Sequence, residues 1–200
     1  MNKKAILHLG NEFAPIAAFY LASQFCSFFF ATGVLVFATI IALSLGWIYE
    51  RRFPAVPIIS GFFVIISGSI TLLYHAPDAL ILGDSLYYFS MSLAILFGLL
   101  LKVNLLKKIF STTFAMQDIG WNILARRWII IFMLSGIANE IARFNLTPEE
   151  WVHFKFIKVL SITIFGFYQF TLSRRYRIKE ESNSWGLRKD KIVVEVPIPN

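Results

Sequence analysis

The residues of this chain best suited to chemistry lie in the stretch GIANEIARFNLTPEEWVHFKFIK, positions 136–158. Asn139 and Glu140 sit in one apolar run, and Lys155 and Lys158 sit in the next. An acid and two amines in such a setting have two uses. They can pair and lock neighbouring segments together, or they can form a polar path for ions or protons, a common role of ionisable groups inside a membrane. A lone charge there costs roughly 2.5–3.5 kcal/mol on insertion scales, and pairing Glu140 with Lys158 would offset part of that. Glu12, preceded by Asn11, is a third ionisable position inside an apolar run. Other chemistry lacks its residues. His8, His75 and His153 fall on separate segments, and neither HExxH nor GxSxG occurs. A single cysteine, Cys26, rules out an intrachain disulfide, and no CxxC or Cys/His metal spacing is present. The expectation is therefore no catalytic residue, no metal, no cofactor and no enzyme.

The elements that would hold these groups are membrane spans. Only 16% of the residues are Asp, Glu, Lys or Arg, well below the roughly 25% of a soluble domain. Between Ala5 and Tyr49 the only formal charge is Glu12. Runs of this length with almost no charge read as transmembrane helices. Six apolar segments are visible, near residues 5–22, 29–49, 55–74, 85–101, 128–144 and 151–172. The first contains Pro15 and Glu12 and is the weakest, so five spans is the alternative count. The fold class is all-α: a multi-pass transmembrane helical bundle of six, alternatively five, spans. Small residues suit close helix approach on three of them: Ala38, Ala42 and Gly46; Gly61 and Gly68; Ser90, Ala94 and Gly98.

TPEE, residues 147–150, is a helix start, with Thr147 as cap, Pro148 in the first turn and Glu150 completing a capping box. The last two spans then form a tight hairpin. At about 1.5 Å per residue, Glu140 and Lys158 lie at similar depths, roughly 10–12 Å from the turn. HAPDALILGD, residues 75–84, reads as a polar outer loop holding Asp78 and Asp84.

The net charge of +7 belongs to loops rather than to a nucleic-acid surface. All Lys and Arg except Arg143, Lys155 and Lys158 fall on one set of loops and the tail. The positive-inside rule makes that side cytoplasmic and places the C-terminus there; with six spans the N-terminus joins it, and with five it lies outside. Trp47, Tyr49, Tyr74, Tyr87, Trp128, Trp151 and Tyr176 fall near the proposed interfaces, where amphipathic rings prefer to be. In the long inner loop, Leu105, Leu106, Ile109, Phe110 and Phe114 follow one helical face opposite Lys107 and Lys108. That predicts a short amphipathic interfacial helix touching anionic lipid. Trp121, Arg126 and Arg127 complete this interfacial loop. Residues 1–177 are read as the transmembrane domain, and 178–200, polar and then Pro-containing, as a cytoplasmic, mostly disordered tail.

Several motifs together resemble the intracellular septation protein A family, also called the inner membrane-spanning protein YciB family. They are NEFAPIAAFY, FFATGVLVFATIIALSLGW, RRFPAVPIISG, SGSITLLYH, GWNILARRW, ANE and WVHFKFIKV, and the likeness covers about residues 9–177. The positions matching the family's pattern are Gly120, Trp121, Arg127, Trp128, Asn139, Glu140, Trp151, Phe154 and Lys155, none of them catalytic. The resemblance implies a multi-pass protein of the bacterial inner membrane that supports envelope integrity and division. It implies contacts with membrane lipids and other inner-membrane envelope or division proteins, and no nucleic acid. A scaffold role is the first expectation. A small transporter or channel using Glu140 and Lys158 is the alternative, and an enzyme acting on lipid or cell-wall precursors ranks last.

Overall fold

A computed structural model describes residues 3–50 and 55–189, with side chains described within 13–48 and 56–189. Among the described residues eight helices follow one another: α1 (Lys3–Phe25), α2 (Phe28–Glu50), α3 (Ala55–Tyr74), α4 (Pro77–Leu100), α5 (Leu105–Phe110), α6 (Asp118–Asn145), α7 (Pro148–Tyr168) and α8 (Phe170–Arg175). Among the described residues there are isolated β-bridges but no strands. Five helical segments among the described residues are long and apolar enough to cross a membrane: Phe28–Ile48, Val56–Tyr74, Pro77–Leu100, Asp118–Asn145 and Pro148–Arg175. Phe13–Phe25 is a shorter apolar helix. Many large apolar side chains, such as Phe37, Ile48, Phe62 and Ile164, are exposed on these helices. In lipid that is the favourable side, and helices are the form that satisfies the backbone there.

The chain forms two compact units, Met1–Leu93 with Ile129–Thr163, and Ala94–Trp128 with Ile164–Asn200. In the first, α2 packs against both α1 and α3. Its core joins Phe19 of α1, Phe28, Ala31 and Leu35 of α2, Leu80 and Ile81 of α4, Ala142 of α6, and Trp151 and Val152 of α7. The small residues of α3 serve close approach. A Cβ on Gly61 would meet Leu43 at 2.6 Å, and one on Gly68 would meet Val36 at 2.5 Å. Gly83 of α4 is tighter still, with Ser67 Cβ 2.3 Å from the point its own Cβ would occupy.

The α3–α4 connection is much shorter than the polar loop expected from the sequence. His75 takes a left-handed φ of 51°. The Thr71 hydroxyl donates to Ala76 O at 3.1 Å and accepts from Leu80 N at 2.9 Å. Pro77 then opens α4, a position where its missing N–H is no loss. Residues 77–84, expected outside the membrane-spanning segments, are thus the first two turns of α4. The α6–α7 turn follows the sequence reading. Thr147 Oγ1 accepts from Glu150 N at 3.3 Å, and Glu150 Oε2 accepts from Thr147 N at 2.9 Å.

In the second unit, α5 covers only 105–110, capped by Asn104, whose side chain accepts from Lys107 N. Phe114, expected on that helix, instead bridges to Leu187 and packs edge-on against Phe170. Residues 178–189, which composition assigns to a disordered tail, are folded. Further bridges join Met116 to Arg177 and Ser182 to Arg188, and Gly186, at φ 79°, packs against Ser173 O. Residues 190–200 lie outside the described residues.

Gly83→Val should lower stability by about 1–3 kcal/mol through overpacking against Ser67, whereas Gly33→Ala, with nothing within 4 Å of a new Cβ, should be near neutral. Thermal unfolding of the purified protein in detergent distinguishes the two.

Candidate functional site: a buried charge cluster

On α7, Trp151, Lys155 and Lys158 are spaced i, i+4, i+7 and share one face. All three are buried. On α4, Ile81, Asp84, Ser85 and Tyr88 occupy the facing turns, and on α6 the facing residue is Asn139. Asp84 is the centre. One carboxylate oxygen accepts from Lys155 Nζ, and the other accepts from Lys158 Nζ at 2.5 Å. The side chains are 9% exposed for Asp84, 5% for Lys155 and 6% for Lys158. Burying one such charge alone is prohibitive, so each is held by the others.

Asn139 extends the network to a third helix. Its Nδ2 donates to Ile81 O and to Ser85 Oγ, each at 2.9 Å. Its Oδ1 accepts from Trp151 Nε1 at 3.0 Å and from Lys158 Nζ at 2.6 Å. Aromatic faces complete the shell. Lys155 Nζ lies 4.9 Å from the Trp151 ring, and Lys158 Nζ lies 4.5 Å from Tyr88 and 5.2 Å from Phe154. These distances are within range of cation–π attraction. α4, α6 and α7 are therefore joined through one polar knot inside the first unit. Beside it lies a cavity of about 520 Å³, lined mainly by apolar side chains of α1–α4 and α7, with Asp84 and Lys155 among its walls.

Of the residues expected from the sequence, Asn139, Lys155 and Lys158 come together and Glu140 does not. Neighbouring positions on a helix point about 100° apart, so with Asn139 facing the two lysines, Glu140 points to another side, still within reach of Ser85 on α4. It accepts from Arg143 Nε at 3.0 Å and from Arg143 Nη2 at 2.8 Å, an i, i+3 pair at the edge of the same helix. The expected Glu140–Lys158 pair is thus replaced by two others, Glu140–Arg143 and Asp84–Lys158. The loop expected over residues 75–84 places Asp84 outside the spans, whereas it lies in the second turn of α4. The signal was present: Pro77 followed by Asp78 is a helix start, and seven residues further in is about 10 Å, the depth estimated for Lys158. The Glu12 and Asn11 side chains lie outside the described residues. Trp151, expected at an interface, is fully buried in the core.

The residues expected at the interfacial loop fall in the second unit. Trp121 is buried, and its Nε1 donates to Met116 O at 3.0 Å. Arg127 donates to Gln169 Oε1 at 3.0 Å and lies over the Tyr168 ring. Lys107 pairs with Asp118, while Lys108 and Arg126 are exposed. Among the described residues, no group of three or more His, Cys, Asp or Glu could hold a metal ion.

The long apolar helical segments among the described residues, with a buried charge knot joining α4, α6 and α7, define a multi-pass helical membrane protein. The chain matches the family model described as intracellular septation protein A over residues 7–180, and it belongs to that family. It is 29% identical to the inner membrane-spanning protein YciB of Brucella melitensis biotype 2, over 90% of this chain and 89% of that one. It is likewise 29% identical to the YciB protein of Brucella suis biovar 1, over 90% and 98%. The relative in Brucella anthropi is 28% identical, over 90% and 89%. No solved structure matches the chain.

Asp84→Asn should destabilise the protein by about 3–5 kcal/mol, because it strands two buried ammonium groups. Glu140→Gln, breaking a partly exposed i, i+3 pair, should cost about 0–1 kcal/mol. Melting temperature in detergent, together with the amount of each variant recovered from membranes, measures both.

Proposed function

We propose that this chain is a multi-pass protein of the inner membrane that supports envelope biogenesis and septation as a scaffold. The observation that carries the reading is how the polar knot spends its groups. Both carboxylate oxygens of Asp84 and both polar side-chain atoms of Asn139 bond to protein groups on other helices. A carboxylate with both oxygens engaged by ammonium groups has no free oxygen to take a proton from a substrate. The arrangement supports a clasp between helices better than a reaction centre. The family's description and the relatives' names, which speak of septation and of spanning the inner membrane, support the same reading.

In this reading the working surface is the second unit. Lys108, Arg126, Arg174, Arg175, Lys179 and Lys189 are exposed there. Such a surface attracts anionic headgroups, at about 1 kcal/mol per Lys or Arg near the membrane, and acidic faces of partner proteins. This side is cytoplasmic in the proposal, with the C-terminus, in accord with the positive-inside rule.

A reporter fused after Asn200 should be active only if it is a cytoplasmic reporter; periplasmic activity would overturn the orientation. In a deletion strain under osmotic stress, a variant with Arg126, Arg174 and Arg175 changed to Gln should reach wild-type abundance in the membrane yet fail to restore growth. Full rescue by that variant would sink the proposed contact surface.

A further inference from the structure

The charge knot does not balance. Lys155 and Lys158 share one carboxylate, so two ammonium groups face a single negative charge. Glu140, the next acid on α6, is engaged by Arg143. Lys158 divides its donors between Asp84 and Asn139. Lys155 donates to Asp84 alone among the described residues, and its ammonium group has three N–H donors. Of the two lysines it is Lys155 that lines the cavity. Asp84 lines it too, but its carboxylate is shared with Lys158 behind it, so the cavity wall carries one surplus positive charge and unused Lys155 donors, in a part of the protein where unpaired charge is expensive.

The rest of the lining selects the kind of molecule that would supply the missing charge. It is apolar over most of its surface, with Leu35, Leu43, Val64, Leu80 and Val159 among its walls. Along α3 the lining runs from Val56 to Ser67, which is about 16 Å of helix. Trp47 and Ile58, both on the lining, are exposed, so the cavity communicates with the surroundings at that part. Its volume of about 520 Å³ falls in the ~300–1,000 Å³ range of small-molecule sites.

We infer that this cavity is a binding site for one hydrocarbon chain of an amphiphile whose head carries a single negative charge, with that head on Lys155. A carboxylate or a phosphate diester satisfies the chemistry equally, so a free fatty acid and an anionic phospholipid are its two natural sources. The site is independent of the scaffold reading: its loss in vitro leaves the septation role standing.

The test is a titration of the purified full-length protein in a non-ionic detergent with cis-parinarate, a fluorescent fatty acid. Lys155→Gln keeps the Asp84–Lys158 pair and removes the surplus charge; it should weaken parinarate binding by about tenfold, the loss of one charge-assisted contact. Lys155→Arg should retain it. Ser60→Phe, which fills the cavity away from the charges, should abolish it. Oleate should displace the probe, and oleyl alcohol should not. Displacement by oleate but not by dioleoylphosphatidylglycerol assigns the site to free fatty acids, and displacement by both admits phospholipid. Equal competition by oleate and oleyl alcohol would overturn the proposal, as would undiminished binding to a folded Lys155→Gln. The alcohol comparison uses wild-type protein, so it decides the matter even if that variant misfolds.

Discussion

The constraint that organises the first unit is the cost of charge in an apolar medium. Asp84, Lys155 and Lys158 are each more than 90% buried by side chain, and none can stand there alone. Their mutual satisfaction fixes helix register. α4 must begin at Pro77 for Asp84 to reach its depth, and Thr71 shapes the turn that lets it do so. α7 must begin at Pro148 for Lys155 and Lys158 to meet the carboxylate, and the Thr147–Glu150 box sets that start. Asn139 ties α6 to both. Between lipid-facing helices a hydrophobic core discriminates weakly among registers, since lipid is as apolar as leucine. A directional network of this kind supplies the discrimination.

The fold was legible where hydrophobic runs and helix signals agree. The spans from α2 onward, the α6–α7 hairpin and the capping box were readable, because each depends on local residue order. The small residues of α3 also announced close packing, and Gly61 and Gly68 do meet α2. The site was half legible. Lys155 and Lys158 share a helix face by spacing alone, and Asn139 shares their depth. Choosing their acid required knowing which way α6 faces, and Glu140 is one residue, about 100°, away from the inward direction. The true partner, Asp84, was hidden by treating acidic residues after a proline as loop. At the other end, residues 178–189 have a polar composition that suggests disorder, yet their pairing with 113–117 is backbone to backbone, which composition does not encode.

The two units divide the chemistry of the chain. The first buries Asp84, Lys155 and Lys158, bonded to one another. The second shows its charges outward, on surfaces with few acids to neutralise them. Asp118 and Glu181 are engaged by Lys107 and Arg188, which leaves Arg126, Arg174 and Arg175 among the exposed cations.

The returning tail has a consequence for how the chain is made. Ala115 N donates to Gly186 O, Ile178 N to Ala115 O and Arg188 N to Thr113 O, with distances of 3.0, 2.9 and 2.8 Å. The segment between α5 and α6 emerges from the ribosome before α6–α8, but the groups that pair with it are synthesised only after α8. Until then those backbone donors and acceptors have only water or membrane headgroups as partners. The second unit therefore closes only after α8 has been translated: a product that stops after α8 keeps its spans but leaves the 113–117 backbone without these later-arriving partners.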